Sequence, residues 1–247
     1  MAAKLAFISD IHGNRPALEV VLKDIDRRGA DRIYNLGDSL FGPLDPAGTF
    51  ALLTGREITH LRGNGDRELL GPDDGSDTTL NRQRRGLSPA ERAWLEAQPG
   101  RIDEGDLTAF HASPGSDDAY LLECLTEAGV ALRPADEVQA GLTGVWAEAV
   151  VCGHSHRPGI LRLPDGRLVV NAGSVGLPAY YDDRPSPHKM ESGGPEAKYA
   201  LLEKSGGGWR AEIVEVVYDC RAAADMALTQ GRPDWAEWLM SGRVPQR

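Results

Sequence analysis

The sequence is poor in cysteine and has no excess of basic residues. Its three cysteines, Cys124, Cys152 and Cys220, are odd in number and widely spaced, which argues against a disulfide framework and predicts a reduced, cytoplasmic protein. Lys and Arg number 27 against 37 Asp and Glu, so the formal net charge is −10. Duplex nucleic acid and anionic membrane surfaces are bound through clustered basic residues, so we expect neither as a partner.

Long hydrophobic runs are absent as well. No segment approaches the roughly 20 apolar residues of a membrane span. Residues 1–10 (MAAKLAFISD) enter an apolar strand at once and lack the pattern of a signal peptide. The remaining composition, 41% hydrophobic and 26% charged, is that of a soluble globular protein. With no linker or repeat in its 247 residues, we predict one domain over residues 1–247 with a helical tail over 219–247.

Strand-like and helix-like segments alternate in the first part of the chain. Residues 4–9, 32–36 and 58–62 are short apolar runs of strand length, and residues 18–25 repeat apolar side chains at helical spacing. Such repetition predicts parallel strands with right-handed crossovers. Ligand sites in open α/β sheets lie beyond the carboxyl ends of the strands, so the functional site is expected there.

The pattern is less regular further on. We predict further strands and a closing hairpin, helices after a capping box and in the tail, and two irregular polar segments. The strands cover residues 107–110, 149–152 and 168–170, and the hairpin covers 199–202 and 211–218. The helices begin near residues 88, 134, 221 and 234. The irregular segments are 71–86 and 179–196.

Residues suited to metal binding follow the predicted strands. In chain order the fragments are Asp10-x-His12, Gly37-Asp38, Gly63-Asn64, His111 and Gly153-His154-x-His156. Imidazole and carboxylate groups are ligands of Mn, Fe, Zn and Ni. Each fragment alone is typical of a turn or a structural histidine, but five at one sheet edge favour a metal centre. Seven ligands are too many for one ion with an open substrate position, so the pattern predicts two ions that share a carboxylate.

These fragments, in this order and spacing, resemble the calcineurin-like metallophosphoesterase family. The stretch from Asn171 to Pro178 (NAGSVGLP) is similar to a segment of its small bacterial members. The resemblance spans residues 5–178 and implies an α/β fold of two packed mixed β-sheets flanked by helices, a four-layer sandwich. It also implies a dinuclear, metal-dependent hydrolase of phosphoester bonds.

The resemblance implies the ligands of each ion. Metal one would take Asp10, His12, Asp38 and His156, and metal two would take Asp38, Asn64, His111 and His154, with Asp38 bridging. The implied nucleophile is a hydroxide that bridges the two ions, and Asp38, Asn64 and His154 are the implied catalytic residues. We expect two divalent ions, manganese first; ligand type does not separate manganese from Fe, Zn, Ni or Mg.

One motif departs from the family. Many members have a histidine after the Gly-Asn pair, which protonates the leaving group or steadies the phosphate, whereas this chain has Gly65. General acid assistance typically accelerates such reactions about 10²–10⁴-fold, and its loss matters most for poor leaving groups. The sequence therefore favours a phosphodiesterase or a small-molecule or nucleotide phosphatase. The alternatives are a non-catalytic scaffold with the same fold and a protein Ser/Thr phosphatase. The oligomeric state is left open.

Several other residues have two interpretations each. His60 and His188 are interpreted as structural, although His188 could fold over the site. Asn14 caps a helix or contacts phosphate. Tyr180 and Tyr181 either stack on a nucleobase or pack the loop, and Trp235 and Trp238 form either an interface or part of the core. Three arginines form either a solvated face or a phosphate-guiding lid: Arg82, Arg84 and Arg85.

Overall fold

The computed structural model describes residues 3–245. Within them the helices are α1 (Arg15–Arg28), α2 (Pro46–Thr54), α3 (Asn64–Leu69), α4 (Thr79–Gly86), α5 (Pro89–Ala97), α6 (Ala135–Gly141), α7 (Cys220–Thr229) and α8 (Pro233–Ser241). The strands are β1 (Lys4–Ile8), β2 (Arg32–Asn35), β3 (Thr59–His60), β4 (Arg101–Glu104), β5 (Leu107–Phe110), β6 (Glu123–Thr126), β7 (Gly129–Leu132), β8 (Ala149–Cys152), β9 (Gly159–Arg162), β10 (Leu168–Asn171), β11 (Ala179–Asp182), β12 (His188–Glu191), β13 (Ala197–Ser205) and β14 (Gly208–Val216).

Two five-stranded mixed sheets form the centre of the fold. The first has the order β14-β13-β1-β2-β3, in which β1, β2 and β3 are parallel and β13 runs antiparallel to β1. The second has the order β4-β5-β8-β10-β9, in which β5, β8 and β10 are parallel. The predicted parallel strands are confirmed. As a result, the loops after six parallel strands leave from the carboxyl ends of their sheets.

The two sheets pack face to face through one apolar cluster. Leu5 and Phe7 of β1 point into it, and they meet Val151 and Val170 of the second sheet. The alternate β1 residues, Ala6 and Ile8, pack instead with α1. The strand β1 is therefore apolar on both faces, which explains why KLAFI is a nearly continuous apolar run. The two packed mixed sheets with flanking helices agree with the predicted fold class.

The helix boundaries follow from local chemistry. Asn14 caps α1, because its side chain accepts a hydrogen bond from Ala17 N at 3.1 Å, and Gly29 ends that helix in the left-handed conformation. Ser88 and Glu91 form the predicted capping box of α5. Both tail helices are present as α7 and α8.

Two predictions of irregular structure were wrong. Residues 71–86 contain α4, and residues 179–196 contain the antiparallel β11–β12 hairpin. Neither segment has a clear apolar period. Both are ordered instead by tertiary contacts, which a local pattern does not reveal. Gln83 of α4 donates to Leu40 O at 3.2 Å, and Met190 of β12 is fully buried. The short β6–β7 hairpin was not anticipated either. None of the helices in residues 3–245 is long and apolar enough to cross a membrane.

Candidate metal centre

Loops from both sheets meet at one point. The loops after β1, β2 and β3 contribute Asp10, His12, Asp38 and Asn64, and the loops after β5 and β8 contribute His111, His154 and His156. Two sets of side chains have ligand atoms that all lie within 4.8 Å of one another. The sets are Asp10, His12 and His156, and Asp10, Asp38 and His111. All five of these residues are buried.

The backbone at this junction is strained. The non-glycine residues with positive φ in the described chain are all candidate ligands: Asp10 (54°), His12 (52°), Asp38 (53°), His154 (67°) and His156 (58°). Left-handed conformations are uncommon outside glycine, and they persist where the surrounding structure enforces them. Main-chain hydrogen bonds between the loops hold these conformations: Asp10 N donates to Gly37 O at 3.0 Å, and His12 N donates to Asp38 O at 2.9 Å.

Two glycines allow the loops to approach the carboxylates. A Cβ on Gly63 would overlap Oδ1 of Asp38, and a Cβ on Gly153 would overlap Oγ of Ser9 and come within 2.7 Å of Asp10 Oδ2. The glycine is therefore required at both positions by a close approach of side chains to the main chain. Steric crowding thus explains why a glycine precedes the candidate ligand in both the Gly-Asn and the Gly-His pair.

Three histidines are held in one tautomer by main-chain carbonyls. Nδ1 of His12 donates to Phe41 O at 2.7 Å, and Nδ1 of His111 donates to Leu36 O at 2.9 Å. His156 donates in the same way to Leu177 O. A carbonyl only accepts, so Nδ1 is the donor in each ring, and each Nε2 is left to face the centre, as a lone pair whenever the ring is neutral. This is the arrangement that outer hydrogen bonds impose on metal-binding histidines.

The centre collects acceptor atoms with no donor between them. Nε2 of His12 lies 3.1 Å from Nε2 of His156. Nε2 of His111 lies 3.0 Å from Asn64 Oδ1. Oδ1 of Asp10 is buried without a hydrogen-bond partner and lies 3.3 Å from His156 Nε2. Facing lone pairs and an unpaired buried carboxylate oxygen are costly unless a cation lies among them. The residues present therefore fit divalent metal ions, and the donor set is that of Mn, Fe, Zn or Ni.

The charges of Asp10, His12 and His154 agree with this interpretation. At His111, by contrast, burial acts to lower the pKa, but the carboxylates of Asp38 and Asp10 raise it. Burial would raise the pKa of Asp10, but the neighbouring His156, His111 and His12 hold it well below its usual value. Burial and the adjacent His156 lower the pKa of His12, and burial together with His111 lowers the pKa of His154 to about 4. Asp10 is therefore anionic and these two rings are neutral near pH 7, which are the protonation states that bind metal.

His154 occupies a different position from the other ligand candidates. Its main-chain N donates to Asp10 Oδ2 at 2.9 Å, and its ring lies 5.2 Å from that of His111. Its Nε2 donates to the Asp118 carbonyl at 3.2 Å, and its ring stacks on Tyr120 at 5.0 Å. The structure thus brings His154 to the same centre but outside the two sets of converging ligand atoms.

Comparison with known proteins identifies the family. The model of the calcineurin-like phosphoesterase superfamily domain matches residues 3–188. The chain belongs to the calcineurin-like phosphoesterase superfamily. An uncharacterized protein of Methanocaldococcus jannaschii is 28% identical over 266 aligned positions, which cover 97% of this chain and 98% of that protein.

Two solved structures share the fold of this phosphoesterase. A metallophosphoesterase from Sphaerobacter thermophilus superposes with a TM-score of 0.77 at 24% identity, covering 98% of this chain and 100% of that chain. A hypothetical protein from Pyrococcus horikoshii OT3 superposes with a TM-score of 0.74 at 19% identity, covering 97% of this chain and 98% of that chain. At these identities the likeness establishes the fold of two packed mixed sheets.

A cavity of about 250 Å³ opens onto the phosphoesterase site. The sequence predicts that Asp38, Asn64 and His154 line the site, and they line this cavity. It is also lined by side chains that sequence reasoning missed: Phe41, Glu68, Asp118, Asp182, Arg184 and Arg232. Glu68 had a detectable signal, because it follows Asn64 by four residues and α3 puts the two on one face. Arg184 had none, since it lies in a segment without a readable pattern.

Most of the other ambiguous residues have structural roles. Asn14 caps α1 and donates to Gly176 O at 2.8 Å and to the Tyr218 hydroxyl at 3.1 Å. The ring of His60 packs edge-on against Trp94. Buried His188 accepts from the Tyr120 hydroxyl at 2.7 Å, which makes it part of the support behind His154.

The tail tryptophans and the tyrosines lie beside the centre. Trp235 and Trp238 are buried, belong to the core and also line the cavity, with the Trp235 ring 5.8 Å from that of His12. The Tyr180 hydroxyl contacts that of Tyr120 at 2.8 Å, so Tyr180 packs the base of the hairpin. Tyr181 lines the cavity, and its stacking on a nucleobase stays a prediction.

Of the two interpretations of Arg82, Arg84 and Arg85, the phosphate-guiding lid is not supported. Arg82 pairs with Asp77 at 3.0 Å and Arg85 with Asp73 at 2.9 Å, both on the surface. Arg84 donates to the main-chain carbonyls of Glu68 and Pro72. These arginines hold the segment around α4 together, so the solvated-face interpretation is the better one for Arg82 and Arg85.

Proposed function

We propose that this phosphoesterase uses two divalent metal ions to hydrolyse a small phosphorylated or nucleotide substrate. The observation that carries the proposal is the convergence of acceptor atoms from Asp10, His12, His111 and His156 without a donor among them. In this proposal metal one is held by Asp10, His12, Asp38 and His156, and metal two by Asp38, Asn64, His111 and His154, with Asp38 shared. Manganese is the first expectation for both ions.

The protein residues have distinct tasks in this proposal. Divalent ions supply charge neutralisation at the phosphoryl oxygens and a nucleophile at neutral pH. The main-chain carbonyls of Leu36, Phe41 and Leu177 orient the imidazole rings so that their Nε2 atoms face the centre. Asn64 and His154 line the cavity, and their proposed task is to help hold metal two where the phosphoryl group binds.

The cavity supports a small substrate. Its volume of about 250 Å³ accommodates a phosphoryl group with a compact leaving group. Besides Asp38, three of its lining residues, Glu68, Asp118 and Asp182, are acidic, and they repel extended polyanions. Gly65 offers no side chain as a general acid, so we expect activated diesters and aryl or nucleotide esters to react faster than alkyl monoesters. The predicted absence of duplex nucleic acid and membrane partners and the cytoplasmic location stay predictions.

Metal content and hydrolysis, measured on one preparation, test this proposal. Elemental analysis should find about two divalent ions per chain. Bis(p-nitrophenyl) phosphate and p-nitrophenyl phosphate should be hydrolysed, most rapidly with Mn²⁺, and chelation should abolish turnover. A protein that binds no metal would support the scaffold alternative. A metal-loaded protein that is inactive on phosphomonoesters, cyclic nucleotides and dinucleoside polyphosphates would contradict the proposed function, and faster turnover of phosphopeptides than of activated diesters would favour a protein phosphatase.

A further inference from the structure

Arg184 lies on the loop of the β11–β12 hairpin and lines the metal-site cavity. The same cavity is lined by Asp38, Asn64, Gly65 and His154, so Arg184 and the candidate ligands border one open cavity. Arg184 itself is exposed at the rim. No pattern in the sequence points to it, since its position over the cavity depends on how the hairpin packs.

The hairpin is anchored on the body of the protein. His188 and Met190 of β12 are buried, and the Lys189 ammonium donates to Val244 O and Pro245 O at 3.1 and 2.7 Å. Within the loop, Arg184 N donates to Asp182 Oδ1 at 2.9 Å. The main chain that presents the guanidinium is therefore fixed relative to the cavity, unlike that of an unattached surface loop.

The charge of Arg184 is not neutralised by a close partner. Two arginines line the cavity, and Arg232 is paired with Asp234 at 2.6 Å. Across residues 3–245, by contrast, no carboxylate lies within 4.0 Å of the Arg184 guanidinium and no acceptor is hydrogen-bonded to it. Its charge acts at longer range on Glu68: burial raises the pKa of Glu68, and the charges of Arg67 and, less strongly, Arg184 act to lower it. Arg184 and Glu68 thus both line the cavity and interact electrostatically without forming an ion pair.

At residue 65 the lining of the cavity offers no side chain that could bind a phosphate oxygen. Gly65 has no side chain, and a Cβ there would come within 3.1 Å of both carboxylate oxygens of Asp38. The other charged residues that line the cavity besides the two arginines are acidic. An anionic substrate therefore meets one uncompensated cationic side chain apart from the metal site, and a guanidinium matches phosphate geometry through two parallel hydrogen bonds.

We propose that Arg184 binds the phosphoryl oxygens of the substrate and supplies the phosphate contact that Gly65 cannot make. This inference rests on the proposed function, because it takes the phosphoryl group to lie at the metal centre. Arg184 is then the residue that lets an acidic cavity accept a phosphoester. It also makes affinity depend on the hairpin, a segment outside the residues that hold the metals.

Direct binding of inorganic phosphate tests the role of Arg184 independently of turnover. The dissociation constant is measured by titration calorimetry on metal-loaded wild type, R184Q, R184K and R82Q. R82Q is the matched control, since it removes the same charge from an exposed arginine paired with Asp77. We expect R184Q to bind phosphate about tenfold more weakly, because a charge-assisted hydrogen-bond pair is lost. R184K should lie between R184Q and wild type, and R82Q should equal wild type.

Metal content and hydrolysis of bis(p-nitrophenyl) phosphate, measured on the same samples, separate the two proposals. All four proteins should contain the same amount of metal. Equal phosphate affinity of R184Q and wild type, with wild type active, would overturn the role of Arg184 and leave the proposed function intact. An equal loss in R82Q would also overturn it, because the effect would then be one of net charge. A wild type that neither binds phosphate nor hydrolyses the diester would overturn both.

Discussion

His60 makes folding stability depend on pH in a way that can be calculated. It lies at the end of β3, with its ring centroid 4.9 Å from that of Trp94. Asn35 Nδ2 donates to its Nδ1 at 3.3 Å. Burial lowers the pKa of His60 from 6.5 to about 4. A proton on Nδ1 would also face the amide donor of Asn35 instead of an acceptor. Protonation of His60 is therefore disfavoured in the folded state.

The sign and size of the effect follow from proton linkage. The folded-state pKa is lower than the unfolded one, so the native state binds fewer protons between pH 6.5 and pH 4. The stability contributed by neutral His60 is present above pH 6.5 and is lost as the pH falls through this window. At pH 5 the pH lies about 1.5 units below the unfolded-state pKa, so His60 is protonated in the unfolded chain but stays mostly neutral in the folded one. This difference lowers the free energy of unfolding by about 2 kcal/mol.

Urea unfolding at pH 7 and pH 5 measures this loss. His60→Phe retains the edge-on contact with Trp94 and His60→Gln retains a polar group, and neither titrates in this range. Other groups titrate alike in all three proteins, so the difference between wild type and variant isolates His60. We expect both variants to lose about 2 kcal/mol less than wild type between pH 7 and pH 5. Identical losses in wild type and both variants would refute the reasoning that burial disfavours protonation of His60.

Three further predictions concern the metal centre and its support. Asp38→Asn should lower diester hydrolysis at least about 10²-fold and reduce metal content, measured by elemental analysis, because a shared anionic ligand is lost; unchanged turnover would contradict it. Chelation should lower the free energy of unfolding, by about 2.7 kcal/mol relative to metal at 100 times its dissociation constant; calorimetry that shows no change would contradict a bound metal. Asn14→Ala should lower the free energy of unfolding in urea by about 2 kcal/mol, since the helix cap and two buried hydrogen bonds are lost. Its metal content should stay at the wild-type value, and a loss of metal would contradict a purely structural Asn14.

The strands and the candidate ligands could be predicted because their signals are local. An apolar run such as KLAFI is buried on both faces, and this requirement is visible residue by residue. Polar residues after such runs must lie at the carboxyl edge of a parallel sheet. The sequence therefore predicts that Asp10 and Asp38 lie close together, and in the structure their carboxylate oxygens do so. The metal-binding roles of the seven candidates stay predictions.

The β11–β12 hairpin and α4 could not be predicted in this way. Their sequences have no apolar period, and they are ordered by contacts with distant segments, such as that of Gln83 with Leu40 and that of Lys189 with Val244. The roles of Tyr120 and His188 behind His154 depend on the same hairpin. A pattern within a short window contains no information about such partners.

The sequence determines where the central strands lie along the chain, the kind of side chain that follows each strand and the absence of a histidine at residue 65, since all of these can be read from neighbouring residues. The tertiary structure decides which atoms converge. The left-handed backbone at Asp10 and His156, the tautomers imposed by main-chain carbonyls and the position of Arg184 over the cavity all arise where two sheets and a hairpin meet. These properties are relations between segments far apart in the chain, so only the packed fold specifies them.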